Sequence, residues 1–291
     1  MKERHSLWFK IHAYHLQAQA YVLILVVVLF LISLVLYSIP HIRENVVGGE
    51  LMLALFTSLL VTIFTMTADI FVSFKQHKSD EYLEEMHSFG IGTLYKNKEE
   101  ALVKLLADCD KTVWISGYRL ILTRKIIHQI DAAIDRGARV TAVICPPWSV
   151  AYGMVYGDSG KVMDNYYHVF NHICQHYRKN NYPLDELTVC FVNKPIFSDT
   201  YKVDQNLITG PYMHNRDNEF KRLMAKDFFS YDIVRQSKLF ELINNEFLTL
   251  CDEAVEILDP TKMEALYDRY ELEDWTEAQK IEEFRKILIV K

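Results

Sequence analysis

Ser58, Thr62, Thr65 and Asp69 follow one another at spacings of four, three and four in a stretch that is otherwise apolar. On an α-helix that spacing gathers them on one face. A carboxyl group in such a setting is costly and usually faces protein or water rather than lipid. The stripe can pack one helix against another, its hydroxyls bonded to backbone carbonyls. It can also line a polar path if several copies of the chain assemble. A second row, His168, His172 and His176, recurs every four residues. Imidazoles at this spacing can chelate zinc. Three in a row drift around the helix, however, and no carboxylate stands between them as in an H-E-x-x-H site. The row equally suits a half-exposed helix face, so no metal is assigned, and no motif calls for a cofactor. Two cationic groups complete the set: Arg119, Arg124 and Lys125 beside Tyr118, and Arg216, Lys221, Arg222 and Lys226. On loops after strands they could meet a phosphate-rich partner; otherwise they are ordinary surface.

The elements that hold these residues begin with two apolar segments. Residues 20–39 are nearly unbroken Val, Leu, Ile and Phe without charge, long enough as a helix to cross ~30 Å of hydrocarbon. Residues 51–74 are apolar apart from the hydroxyl stripe and Asp69. Pro40, Gly48 and Gly49 lie between them, so 40–50 reads as a short external turn. The expectation is a transmembrane helical hairpin. Lys2, Arg4 and Lys10 precede it, Lys75 and Lys78 follow it, and the turn holds only Arg43 beside Glu44 and Glu50. The positive-inside rule then places both termini in the cytoplasm. The leading segment, 1–19, carries Trp8, Phe9 and Tyr14 with His5, His12 and His15. These suit a headgroup zone, and the histidines could alternatively form a pH or metal site. The first apolar run is too long for a signal peptide and lacks a small-residue cleavage site.

Composition bounds the remainder. The net charge of −6 offers no global electrostatic case for nucleic acid. Five scattered cysteines, odd in number and without a C-x-x-C, fit a reducing compartment. Residues 75–89 read as a polar linker helix, broken by Gly90 and Gly92. Residues 90–258 then alternate between helical and strand patterns. Residues 112–116 and 140–145 are short strands on either side of an amphipathic helix, 121–135, stopped by Gly137. That order makes a right-handed βαβ unit of a parallel sheet. A strongly aromatic helix, 161–179, leads to a strand at 187–192. A hairpin at 201–203 and 207–209 turns around Asp204, Gln205 and Asn206, and 228–234 offers another strand. A long helix spans 237–258, and 259–291 reads as C-terminal helices opened by Asp259 and Pro260. The expected fold is a helical transmembrane hairpin plus a cytoplasmic α/β domain, its sheet mostly parallel and flanked by helices.

Residues 130–144 and 200–210 together resemble the phospholipase D superfamily. In that family a strand, a helix ending in A-x-x-R-G-x-x-V and a second strand precede a hairpin bearing histidine, lysine and aspartate. Ala133, Arg136, Gly137 and Val140 match the first part, Lys202 the lysine and Gly210 a turn glycine. Thr200 stands where the nucleophilic histidine would be, Leu207 where the aspartate would be, and Asp204 lies three residues early. That chemistry needs one imidazole to attack phosphorus and another to protonate the leaving oxygen. The resemblance therefore implies a phospholipase D-like domain without phosphodiesterase catalysis. What could remain is a polar pocket for a phosphate or nucleotide, with Lys202 and Asn206 foremost and Thr200, Asp204 and Arg119 as further candidates. A solvated hairpin with no ligand is the alternative.

The overall layout resembles two-transmembrane effectors of bacterial anti-phage systems, of retron or cyclic-nucleotide-signalled type. It implies an inner-membrane protein whose cytoplasmic domain senses or docks and whose hairpin permeabilises the membrane to stop infected cells. The implied partners are membrane lipids, further copies of the chain, and either a nucleotide signal or a reverse transcriptase with its DNA–RNA product. A membrane-tethered phospholipase D-type phosphodiesterase and a non-catalytic membrane scaffold are the other readings.

Overall fold

A computed structural model describes residues 16–44, 46–156, 162–214, 223–224 and 229–291. The histidines and cations expected in the leading segment 1–15 lie outside the described residues, as do Arg216, Lys221, Arg222 and Lys226. The chain forms two compact units, Met1–Glu85 and Met86–Lys291.

The first unit is helical. Helix α1 spans Gln17–Tyr37, a short α2 spans Pro40–Arg43, and α3 spans Val46–Ser88, passing into the second unit. Both α1 and α3 are long and apolar enough to cross a membrane. Their large side chains point outward, Leu25, Leu29, Val61, Phe64 and Phe71 among them. Phe30 and Phe56 stack at 4.8 Å between the two helices. The two threonines of the polar stripe are satisfied internally: Thr62 donates to the Ser58 carbonyl at 2.8 Å, and Thr65 to those of Val61 and Thr62. Asp69 is exposed. Residues 75–88 continue α3 without a break, and the expected turn at 40–50 contains α2 and the start of α3. Pro40 is tolerated as the first residue of α2, where its missing N–H is not needed.

The second unit is a mixed sheet between helices. In chain order its elements are β1 (Ile91–Tyr95), α4 (Lys98–Ala107), β2 (Thr112–Gly117), α5 (Ile121–Lys125), α6 (Ile127–Asp135), β3 (Arg139–Ile144), α7 (Val150–Tyr156) and α8 (Met163–Lys179). They continue with β4 (Leu187–Phe191), β5 (Ser198–Val203), β6 (Asn206–Pro211), β7 (Met213–His214), β8 (Leu223–Met224), β9 (Ser230–Ile233) and α9 (Lys238–Asp252). The last are β10 (Glu256–Leu258), α10 (Met263–Leu272), α11 (Glu277–Arg285) and β11 (Leu288–Val290). The strand order is β1-β9-β6-β5-β2-β3-β4-β10-β11, with β7 and β8 forming a separate ribbon.

The sheet is mixed rather than mostly parallel. Among the described residues only the β2–β3 and β3–β4 pairings are parallel; the pairings of the large sheet on either side are antiparallel. The βαβ reading of β2, α5–α6 and β3 holds, since a helical crossover returns the chain in the same direction. The β5–β6 pairing is antiparallel because a tight turn joins its strands, whereas β10 and β11 pair antiparallel although α10 and α11 lie between them. The expected helix at 121–135 divides at Ile126, and that at 237–258 stops at Asp252 so that β10 can pair with β4. The tail likewise ends not as a helix but as β11 against β10.

Local chemistry explains the junctions. Gly137, at φ +102, ends α6 in the left-handed conformation, which glycine adopts without a Cβ penalty. Beside it Arg136 donates from Nε to the Cys109 carbonyl at 2.8 Å and from a second nitrogen to that of Leu106. The guanidinium thus ties α6 to the end of α4, and Ala133 and Val140 are buried beneath. The aromatic helix α8 buries Tyr166, Tyr167 and Phe170 around Phe191 and Phe284, and Tyr177 against Tyr182. Buried phenols require partners. Tyr167 donates to the Lys280 carbonyl at 2.9 Å and Tyr166 to that of Tyr118.

Asp204 fixes the register of the hairpin. It adopts φ +52 in the β5–β6 turn. Its Oδ1 accepts the N–H groups of Lys111 and Thr112 at 3.0 and 2.9 Å, and its Oδ2 that of Asp110 at 3.3 Å. Burial alone would raise its pKa, but the Thr112, Asp110 and Lys111 amides outweigh burial and hold the carboxyl below the usual carboxylate range. With the folded pKa below the unfolded value of ~3.9, this stabilisation is complete above that value and is lost as pH falls through the folded pKa. Asp204→Ala is expected to cost about 1–2 kcal/mol by stranding these donors. Asp204→Asn should keep the turn but weaken this acid-limb pH dependence. Denaturant titrations of the detergent-solubilised chain from neutral to acid pH measure both.

Candidate functional site

Successive residues of β5 point to opposite faces of the sheet, and this divides the expected site in two. Thr200 and Lys202 lie on the face covered by α9. Lys202 pairs across with Trp114 and Thr200 with Ser116. The Lys202 ammonium sits 3.9 Å from the Trp114 ring centre and 5.7 Å from that of Phe240, and donates to Asn244 Oδ1 at 2.7 Å. Trp114 in turn stacks on Phe247 at 4.5 Å. Burial pushes the Lys202 pKa down, while the two rings and the amide keep the cation satisfied. Thr200 is buried and its Oγ1 lies 2.8 Å from Thr209 Oγ1 and 3.0 Å from Ser198 Oγ.

Asp204 and Asn206 stand at the far end of the same strand. Because β5 runs antiparallel to β2, its start meets the carboxyl end of β2 and its final turn meets the amino end. Asp204 holds the segment 110–112, and Asn206 accepts from Arg235 at 2.8 Å. The structure thus does not bring Lys202, Thr200, Asp204, Asn206 and Arg119 into one pocket. Spacing along a strand does not reveal which end or face opens to a ligand.

The opposite face of β5, at the carboxyl end of β2, holds a cavity of about 750 Å³. Among its lining residues are Lys98, Gly117, Arg119, Tyr156, Asp199 and Tyr201. Of the five expected pocket residues only Arg119 lines it, together with Tyr118 and Lys125 of the same cationic group. Its guanidinium carbon lies 5.8 Å from the Tyr156 ring centre, and its Nε is buried without a hydrogen-bond partner. Lys98 Nζ contacts Asp199 Oδ2 at 3.1 Å and lies 5.0 Å from the Tyr201 ring centre. Burial lowers the Lys98 pKa and the Asp199 carboxylate opposes that shift. Burial also pushes the Tyr201 and Tyr212 phenols well above their usual range, so they stay neutral donors. Tyr201 shares a hydrogen bond of 2.9 Å with Thr123 of α5.

The wall is cationic in balance. Lys125 is taken up by Glu99 at 3.0 Å and Lys98 by Asp199, whereas Lys96 and Arg119 have no carboxylate partner among the described residues. Leu120, at φ +54, turns the chain sharply out of β2 into α5. A Cβ added at Gly117 would lie 2.8 Å from the Tyr212 hydroxyl and 3.3 Å from Asp199 Oδ1, so glycine keeps the cavity floor open. Lys98, Asp199 and the tyrosines gave no sequence signal, because they come from separate elements without a shared spacing. Only their proximity to Arg119 identifies them.

The histidine row does not converge. His168 Nδ1 lies 2.9 Å from the Tyr267 hydroxyl, while His172 and His176 approach Asp131 and Asp135 at 2.7 and 2.8 Å. The helical drift of a four-residue repeat sends His168 toward α10 and the other two toward α6.

No family model matches the chain, and no curated protein sequence does. Several solved structures are similar at low identity. The archaeal chromatin protein TrmBL2, whose structure shows a novel mode of DNA binding, is 10% identical over 69% of this chain and 69% of its own, at a TM-score of 0.37. NucT from Helicobacter pylori is 12% identical over 56% of this chain and 96% of its own, at 0.34. The phosphatidylserine synthase of Haemophilus influenzae is 13% identical over 64% of this chain and 44% of its own, at 0.37. None of the three is similar enough to assign a family or an activity.

The two cations differ in what they do for stability. Lys202→Ala removes a charge held between two rings and is expected to destabilise by about 1 kcal/mol. Arg119→Ala removes a buried N–H without a partner and should leave stability unchanged or raise it by up to about 1 kcal/mol. Thermal melts of the two variants in the same detergent test this contrast.

Proposed function

We propose that the chain is a membrane-anchored receptor-effector whose α/β domain binds a phosphate-bearing anion without cleaving it and whose apolar helices act on the bilayer. The observation that carries the ligand reading is the unpartnered Arg119 guanidinium at the wall of the 750 Å³ cavity. A buried donor left open is expensive unless something completes it, and guanidinium matches phosphate oxygens in geometry and charge. Tyrosine rings beside it suit a planar base or a sugar face. Binding rather than hydrolysis is favoured because Thr200 occupies the family's histidine position and faces α9, away from the cavity. No histidine lines that cavity among the described residues.

The membrane reading rests on α1 and α3, with outward apolar side chains and an exposed Asp69. The setting we propose is a bacterial inner membrane, with both termini cytoplasmic and several copies assembling so that Ser58, Thr62, Thr65 and Asp69 line a water path. Permeabilisation in answer to infection, as an anti-phage effector, is the role this layout suggests. Of the two triggers, the cavity fits a nucleotide signal more directly than docking of a reverse transcriptase complex. A phospholipase D-type phosphodiesterase and a passive scaffold remain the competing proposals.

Two measurements test the halves separately. Titration of the purified chain with inorganic phosphate, pyrophosphate and adenosine monophosphate should show saturable heat, weakened at least tenfold by Arg119→Ala. Equal binding by that variant would remove the cavity from the proposal. Expressed in bacteria with a membrane-potential dye, the wild type should depolarise cells and Asp69→Ala should relieve it. Unchanged depolarisation would remove the polar stripe.

A further inference from the structure

On the surface where α6 packs against α8, remote in role from the cavity, one carboxylate faces three imidazoles. Asp131 Oδ2 lies 2.7 Å from His172 Nε2 and 3.5 Å from His128 Nδ1, and Asp131 Oδ1 lies 3.8 Å from His176 Nδ1. One donor atom each from His128, Asp131 and His172 all fall within 4.8 Å of one another. The His128 and His172 rings meet edge to face at 5.5 Å. Asp131 is 9% exposed, yet its Oδ1 is buried without a hydrogen bond.

Proton positions make this arrangement incomplete. A carboxylate only accepts, so the short contact from His176 Nε2 to Asp135, 2.8 Å, requires the proton on Nε2. In the neutral ring Nδ1 then carries a lone pair, and it faces the unsatisfied Asp131 Oδ1. Two acceptors opposed in this way need a proton or a cation between them. His128 and His172 aim at the other oxygen of the same carboxylate, and among the described residues no lysine or arginine pairs with Asp131.

We infer that His128, Asp131 and His172 form a binding site for a divalent transition metal, zinc foremost, with His176 Nδ1 in reach of a further position. Two imidazoles and one carboxylate are the donor types borderline metals take. Tetrahedral ligands at ~2.1 Å from zinc stand roughly 3.4 Å apart, and the observed separations of 2.7 and 3.5 Å straddle that spacing. On binding, the His172 proton moves from Nε2 to Nδ1, the ring stays neutral, and the metal takes the place of the N–H between nitrogen and carboxylate. The Asp135 contact to His176 is the kind of outer bond that orients a metal-facing imidazole. The metal would clamp α6 to α8. His168, though part of the four-residue row, is engaged by Tyr267 and lies outside the site.

The test uses the full chain in detergent, stripped with chelator and titrated with zinc chloride. One zinc per chain is expected, with a raised melting temperature. His128→Ala and His172→Ala should each weaken binding at least tenfold, and His168→Ala should leave it unchanged. Cobalt should give visible d–d absorption without the near-ultraviolet thiolate charge-transfer band. Absence of stoichiometric zinc, equal binding by the His128→Ala/His172→Ala double variant, or a thiolate band would each overturn the inference. His172→Gln, with metal-free melting recorded for every variant, separates lost ligation from lost folding.

Discussion

The alternation of side chains along β5 is the constraint on which the second unit depends. Tyr201 and Lys202 are neighbours in sequence and serve opposite layers: one beside α5, the other beneath α9. A one-residue slip would carry a lysine into the tyrosine-lined cavity and a tyrosine into the ring stack of Trp114 and Phe247. The Asp204 carboxylate prevents that slip by binding the amides that open β2. It therefore acts at long range. It sets the pairing of Ser116 with Thr200 and so places Asp199 beside Gly117 at the other end of the strand.

That constraint accounts for the division between structure and function in this domain. The residues of the phospholipase D-like pattern are structural here. Arg136 and Gly137 close a helix, Ala133 and Val140 fill the core, and Lys202 is held by aromatic rings and an amide. The chemistry left open lies on the other face, where Arg119 has a buried nitrogen without a partner. Side chains that must bind something else are seldom optimised for the stability of the protein that carries them.

The first unit follows a different logic. Its threonines give their protons to carbonyls of their own helix, so these hydroxyls need no outside acceptor. Asp69 has no such internal remedy by chemistry, since a carboxylate brings only acceptors when ionised. Its surroundings in the working protein are thus the central question for what the helices do.

The apolar segments, the βαβ unit and the break at Gly137 were legible in the sequence, because each rests on local periodicity or on a residue with unusual backbone freedom. Arg119 was legible as a cation just after a strand. The mixed sheet was not, because the direction of a strand depends on how the chain returns, and residues 256–258 and 288–290 read as helix until β4 offers the first a ladder and the first offers one to the second. Nor were the cavity and the Asp131 cluster. Lys98, Asp199 and Tyr212, or His128 and His172, are brought together by packing between elements distant in the chain. Sequence alone determined which segments are oily and which are periodic; tertiary structure decided which side chains meet, because strand pairing and helix packing are long-range contacts that no local pattern encodes.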